Sequence, residues 1–326
     1  MITNFFKATS LAKRVLQDVL LWAFLKMTSY KDKFKNYGVG LGLRRDLKDH
    51  IINEINSDHA SFDWLEIVPE NFISIGGKKR LDFEEILKTN IPIIPHGVNL
   101  SIGTAPQKLG KPCFDQYLID QMKELFQEIN PPWLSDHLSC TRIDNYYLQE
   151  LIPLPFTNEM VTIVSDNINF LKDEFQLDFL IENPSYYSKY AVNHLSESEF
   201  INSILEKAQC GLLLDVNNIY VNSKNHDDYQ AKDFIDELDL DKAVQVHIAG
   251  HLEDFSSWLS PTKLKVLDTH GEAIKDDVYQ MLDYLLSKTE IKAILLERDS
   301  NFPDFKETKV ELEKLNKILN KRSLIS

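Results

Sequence analysis

Short aliphatic runs, each closed by a residue with a metal-ligand side chain, recur along this chain. IPIIPH ends on His96, WLSDH on Asp136 and His137, and FLIEN on Glu182. LLLDVNN carries Asp215 and Asn218, VQVHIAGH carries His247 and His251, and AILLERD carries Glu297. Near-continuous Val/Ile/Leu runs bounded by polar residues are the pattern of parallel strands buried on both faces. A polar residue at the carboxyl end of such a strand stands where barrel enzymes build their sites.

Candidate strands begin near Gly38, Trp64, Ile91, Trp133, Asp178, Gly211, Val244 and Lys292. Helix-period segments lie between them at 47–55, 114–129, 158–175, 196–208 and 272–286, and Ser196 with Glu199 has capping-box spacing. Residues 306–326 predict a terminal charged helix. Eight strand–helix units without a Pro/Gly/Ser linker predict an α/β chain folded as a (β/α)8 TIM barrel, with a doubly wound sheet as the alternative. The barrel is favoured because ligand types close nearly every run. A closed ring converges them on one point, whereas an open sheet gathers its site at a switch point.

Residues 37–326 therefore read as one barrel domain, and residues 1–36 as an N-terminal extension or start-site artefact, with Met27 a plausible true start. The apolar stretch 15–27 is too short for a bilayer span and contains Asp18, which argues against a membrane segment. Of the 326 residues, 43% are hydrophobic and 26% charged, as in ordinary globular proteins, and the formal net charge of -14 argues against nucleic acid as a partner. Cys113, Cys140 and Cys210 lie far apart, which supports neither a disulfide framework nor a thiolate zinc site and suggests a reducing cytoplasm. Cys140 follows Asp136 and His137 closely enough to face a site, although a small buried thiol is the commoner fate.

Five of the nine histidines (His96, His137, His247, His251 and His270) fall at strand ends or in the loops that follow, whereas His194 and His226 lie outside every such block. Glu182, Asp215, Asp268 and Glu297 would bring four negative charges into one mouth. Unpaired, that cluster would cost stability, and divalent cations with neutral imidazoles would relieve it. Asp268 and His270, spaced i and i+2 in an extended loop, can reach one ion. Oxygen and nitrogen donors without thiolate suit iron, manganese or zinc. Asn71, Asn183, Asn217 and Asn218 are ligands, supports of ligands or turn formers, the last reading favoured for Asn217. Glu70 closes the second strand and is a candidate ligand or base, with Glu66 expected on the strand's other side. Gly38, Gly40 and Gly42 lack phosphate-loop spacing and read as packing glycines, with Arg44 directed toward the mouth.

Taken together, GLGLR, WLEIVPENF, HGVNLSIG, SDHLSC, IENPS, LLLDVNNIYVNS, VHIAGH, LDTHG and LLERD closely resemble the multinuclear non-haem iron-dependent oxidative enzymes, the family of the methanobactin biosynthesis oxidase. The resemblance covers roughly residues 37–300. It implies a TIM barrel holding two or three irons, with dioxygen as co-substrate, that oxidises cysteine residues of a ribosomally made precursor peptide presented by a small partner protein. The motif order is also similar to endonuclease IV and xylose-isomerase-like barrels, which leaves a metal-dependent hydrolase or isomerase as the alternative. By that likeness His96, Glu182, Asp215, His247, Asp268, His270 and Glu297 are the implied ligands, with His137 next. Asn218 stands where the endonuclease pattern has a histidine, and is kept as a weaker ligand candidate. Asp136 and Glu70 are the candidate catalytic groups, and Asn71, Asn183, His251 and Arg44 the candidates for supporting ligands or touching substrate.

Overall fold

The computed structural model describes residues 29–57, 60–106, 114–143, 146–226, 228–254 and 265–323. Eight strands form a closed, wholly parallel barrel: β1 (Gly38–Gly42), β2 (Trp64–Ile67), β3 (Ile93–Gly97), β4 (Trp133–His137), β7 (Asp178–Glu182), β8 (Gly211–Asp215), β9 (Ala243–Ile248) and β12 (Ala293–Leu296). Around the ring β1 pairs with β12 and β2, and β4 pairs directly with β7. The chain is a TIM barrel, and the open doubly wound sheet is excluded by that closure.

Nine helices accompany the strands among the described residues: α1 (Lys48–Ile55), α2 (Gly77–Leu87), α3 (Gln116–Ile129), α4 (Asn158–Phe175), α5 (Glu197–Ala208), α6 (Val216–Asn225), α7 (Ala231–Glu237), α8 (Asp276–Lys288) and α9 (Phe305–Ser323). Side-chain caps set several starts. Asp115 accepts from Tyr117 and Leu118 N–H, Thr157 from Met160 N–H, and Ser196 forms its capping box with Glu199. Two hairpins interrupt the alternation: β5 (Ser139–Ile143) with β6 (Tyr146–Pro153), and β10 (Leu252–Asp254) with β11 (Lys265–Leu267). Among the described residues no helix is long and apolar enough to cross a membrane.

Strand alternation divides the core in two. Outward residues such as Val39, Leu41, Leu65 and Ile67 pack under the helices. Inward residues Trp64, Ile94, Trp133, Leu180, Leu213, Val244, Ala293 and Leu295 fill the barrel axis. Gly40 is required there, because a Cβ would lie 2.2 Å from the Trp64 ring. Tyr30, Phe34 and Tyr37 close the floor beneath, with Phe34 and Tyr37 set edge-on to Trp133 at 5.0 and 5.3 Å. Residues 29–36, grouped on sequence with the extension, thus pack against the barrel; residues 15–27 and Cys113 lie outside the described residues.

Candidate metal centre

Above the apolar floor the inward positions of β2, β3, β4, β7, β8 and β9 turn polar, while β1 offers Gly42. His96, His137, Glu182, Asp215 and His247 come from β3, β4, β7, β8 and β9, and Glu297 directly follows β12. His96 Nε2 lies 3.0 Å from Glu182 Oε2, with His137 Nε2 3.5 Å from the same oxygen. His247 Nδ1 lies 2.9 Å from Glu297 Oε2 and 3.8 Å from Glu182 Oε1. His270, held at φ 44° in the left-handed region, puts Nε2 2.7 Å from Asp268 Oδ1 and 3.8 Å from Asp215 Oδ2, and Nδ1 3.3 Å from Glu297 Oε2. A non-glycine residue with such a φ is uncommon and concentrates at functional sites.

Among the described residues three groups of potential ligands result: His96, His137 and Glu182; then Glu182, Asp215, His247 and Glu297; then His270, Glu297 and Asp299. Within each, the ligand atoms lie within 4.8 Å of one another. Glu182 belongs to the first two groups and Glu297 to the last two, so shared carboxylates link the three.

The donor set fits cations. Glu182 Oε2, Asp215 Oδ2, His247 Nδ1, His270 Nε2 and Glu297 Oε2 are all buried, and despite the short contacts above none meets a partner at hydrogen-bonding angles, although unpaired buried polar atoms are costly. Without ions, protons on imidazole do the neutralising. Burial alone would lower His137, but Glu182 and Asp136 outweigh it and raise it to about 9. Burial favours a neutral Glu182, yet His137, His96 and His247 hold it down at about 2. Glu297 is likewise held low against burial by His247 and His270, and both histidines are raised by their carboxylate neighbours. Burial drives Asp215 well above its ordinary range, and Glu182, Asp268 and Glu297 add to it against the pull of His270. Divalent ions would replace those protons, the usual linkage between metal binding and imidazole protonation.

Hydrogen bonds aim the ligands. Glu66 Oε2 lies 2.8 Å from His247 Nε2, leaving Nδ1 to face Glu297, and Ser135 Oγ stands 2.9 Å from His96 Nδ1, leaving Nε2 to face Glu182. Gln245 Nε2 also donates to Glu66 Oε2, and Trp133 Nε1 donates to Gln245 Oε1, so a polar layer separates floor from site. Asn183 pairs with the Asp215 backbone in both directions, and Asp215 Oδ1 caps α6 by accepting from Asn218 N–H. Asn218 Nδ2 donates to Asn183 O, leaving its Oδ1 buried and unpaired. Asn217 Nδ2 donates to Asp268 Oδ1, its Oδ1 lies 2.8 Å from His251 Nδ1, and Ser185 Oγ donates to Asp268 Oδ2.

Several expectations change. Glu66 does not face the helices: it shares the inward face with Trp64, two residues before it, and is fully buried against His247. Asn217 is more than a turn former, because its amide joins His251 to Asp268. Neither Glu70 nor Asp136 enters a ligand group. Glu70 Oε1 accepts from Val98 and Asn99 N–H, while Asp136 accepts from Leu100 and His137 N–H, so both brace the loop after β3. Cys140 Sγ lies by Thr104 Oγ1 and Arg142 O, and Cys210 is buried, its thiol pushed up by burial to about 12. Asn71 is exposed beside Arg44 in a neighbouring cleft. Sequence reasoning passed over Asp299 and Gln245, although each stands two residues from a ligand, Gln245 on β9 with His247 and Asp299 in the segment after β12 with Glu297. Asp299 Oδ2 lies 3.3 Å from His270 Nδ1 and its Oδ1 accepts from Arg44 Nε.

Comparison with known proteins shows the family and the fold. The chain is similar to a UPF0276 protein of Pasteurella multocida, 35% identical over 306 residues, covering 89% of this chain and 96% of that one. It is also similar to a UPF0276 protein of Acinetobacter baylyi, 38% identical over 278 residues, covering 85% and 90%. Among solved structures, a xylose isomerase-like TIM barrel protein from Mycobacterium smegmatis in complex with magnesium matches with a TM-score of 0.55 at 10% identity, over 88% of this chain and 97% of that one. Endonuclease IV from Thermus thermophilus matches with a TM-score of 0.52 at 12% identity, over 89% and 100%. At those identities the likeness is one of fold. The family described as RiPP precursor modification enzyme MbnB/TglH/ChrH matches residues 38–320, and the chain belongs to that family.

Proposed function

We propose that this protein is a multinuclear non-haem iron oxidase that modifies cysteine residues of a ribosomally synthesised precursor peptide in the cytoplasm, with dioxygen as co-substrate and a small partner protein presenting the peptide. The observation that carries this reading is the set of three ligand groups joined through Glu182 and Glu297, in a chain of a precursor-modifying family. His96, His137, Glu182, Asp215, His247, Asp268, His270 and Glu297 would hold the ions, with Asn218 and Asp299 as further donors. When bound, the irons supply an anchor for the substrate thiolate and electrons for dioxygen.

The remaining residues prepare the site. Glu66 and Ser135 orient their imidazoles, Asn217 and Ser185 hold the Asp268 carboxylate, and the Trp133–Gln245–Glu66 layer keeps water from entering through the floor. Burial and the neighbouring Asp136 raise Glu70, whose Oε2 is buried without a hydrogen bond, so it is suited to hold a proton near the mouth. Asp136 fixes the loop on which that geometry depends.

The test is incubation of anaerobically iron-loaded protein with a cysteine-containing precursor peptide encoded beside its gene, and with the neighbouring partner protein. A mass change that requires both iron and oxygen is expected. A peptide left unchanged by protein with its full iron complement would overturn the reading. Turnover of an abasic-site or sugar substrate under strict anaerobiosis would establish the hydrolase or isomerase alternative.

A further inference from the structure

Beside the metal layer a cleft of about 800 Å³ opens between the β1–α1 connection and α2. Leu43, Phe72, Phe83 and Ile86 form its apolar lining, and five cationic and three acidic side chains surround them. Ion pairs remove much of that charge. Lys48 Nζ lies 2.7 Å from Asp82 and 2.9 Å from Asp49, and Lys78 Nζ lies 2.8 Å from Asp82.

Arg45 and Lys79 are left without an acidic partner, against the single acid Asp46, and Arg44 keeps one free donor beside its own ion pairs. Among the described residues Lys79 Nζ hydrogen-bonds the backbone oxygen of Asn71 and lies over the Phe72 ring without an acidic partner, and Arg45 forms no side-chain hydrogen bond or ion pair. Arg44 ties the cleft to the metal layer through Asp299 and Glu297, yet its Nη1 is buried without a partner. Gly42 permits that placement, since a Cβ there would lie 3.1 Å from Nη1. In a chain of net charge -14 the overall field repels anions, so a rim cleft with surplus cations is a local exception. Its volume is that of a ligand site, and guanidinium and ammonium groups bind carboxylates through charge-assisted hydrogen bonds.

We propose that this cleft holds an acidic segment of the peptide substrate, with Arg45 and Lys79 gripping glutamate or aspartate side chains and Arg44 marking the end nearest the metal layer. The occupant's identity rests on the precursor-peptide reading above; the charge selectivity of the cleft does not.

Fluorescence anisotropy on the full-length, metal-loaded protein separates the two. The probes are a short labelled peptide carrying a run of glutamates and its glutamine counterpart, both with serine in place of cysteine so that thiolate anchoring contributes nothing. At low salt the glutamate probe should bind about tenfold more tightly, the effect of one or two charge-assisted contacts, and salt should weaken it. Arg45→Glu/Lys79→Glu, and the milder Arg45→Gln/Lys79→Gln, should abolish that preference with metal content and melting temperature unchanged. Equal binding of both probes, no binding of either, or a preference that survives in both variants would overturn the proposal. A glutamate preference without oxidation of the cysteine peptide would leave the cleft standing and remove the oxidase reading; oxidation without a preference would do the reverse.

Discussion

At the scale of single residues, the site depends on side chains that aim ligands as much as on the ligands. Glu66 fixes which nitrogen of His247 faces the other ligands, so Glu66→Ala should weaken metal affinity by about tenfold or more, with Glu66→Gln intermediate. Chelator competition measures this, and unchanged affinity in both variants would show that Glu66 only fills space. His270 joins the last ligand group to Asp268, and His270→Ala should remove about one metal equivalent and most activity. His226 stacks on Tyr186 with its Nε2 2.8 Å from Tyr186 O, away from every ligand group, so His226→Ala should keep the full metal complement. Metal analysis of the two variants side by side decides whether the centre has been drawn in the right place.

At the scale of elements, α5 carries an acid unrelated to the centre. Glu197 is buried at its first turn, accepts a hydrogen bond from Tyr186 Oη at 2.8 Å, and is pushed up by burial to about 7. Between about 4.5 and 7 the folded state therefore keeps a proton that the unfolded chain has released. Its contribution to stability is complete below that window and lost as pH rises through it. Glu197→Gln should match the wild type near pH 5 and exceed it by about 1–3 kcal/mol near pH 8 in urea titrations. A constant difference at both pH values would show that the proton is not involved.

The elements also show what the chain reveals before it folds. The eight barrel strands were legible because double-sided burial writes itself as aliphatic runs, and α5 because its capping box and apolar period coincide. Helix α6 was hidden: VNNIYV is rich in β-formers, and its helix starts on Asp215, which serves at once as strand end, cap and site residue. Helix α2 opens on Gly77 at φ 58° with a weak apolar stripe, and the β5–β6 hairpin exposes Tyr146 and Tyr147, so neither announces a core-facing element. The ligand-bearing strand ends were readable one residue at a time. The face of Glu66 was not, because β2 stops at Ile67 and a turn over Pro69–Asn71 breaks the alternation before Glu70.

At the scale of the whole molecule, the barrel is a column of layers: an aromatic floor, a hydrogen-bonded layer at Gln245 and Glu66, and the ligand groups above. Because Phe34 packs edge-on to Trp133, the segment before β1 belongs to that column. Phe34→Ala should lower stability by about 2 kcal/mol in thermal or urea unfolding without altering metal content at low temperature, and an unchanged transition would detach that segment from the core. The central claim is that shared carboxylates link three ligand groups into one multinuclear centre. The most direct measurement is the number of irons bound per chain after anaerobic reconstitution, in the wild type and in Glu297→Gln, the variant at the residue common to two groups. The account predicts two or three irons in the wild type and at least one fewer in the variant. One iron or none in the wild type, or an undiminished count in Glu297→Gln, would contradict it.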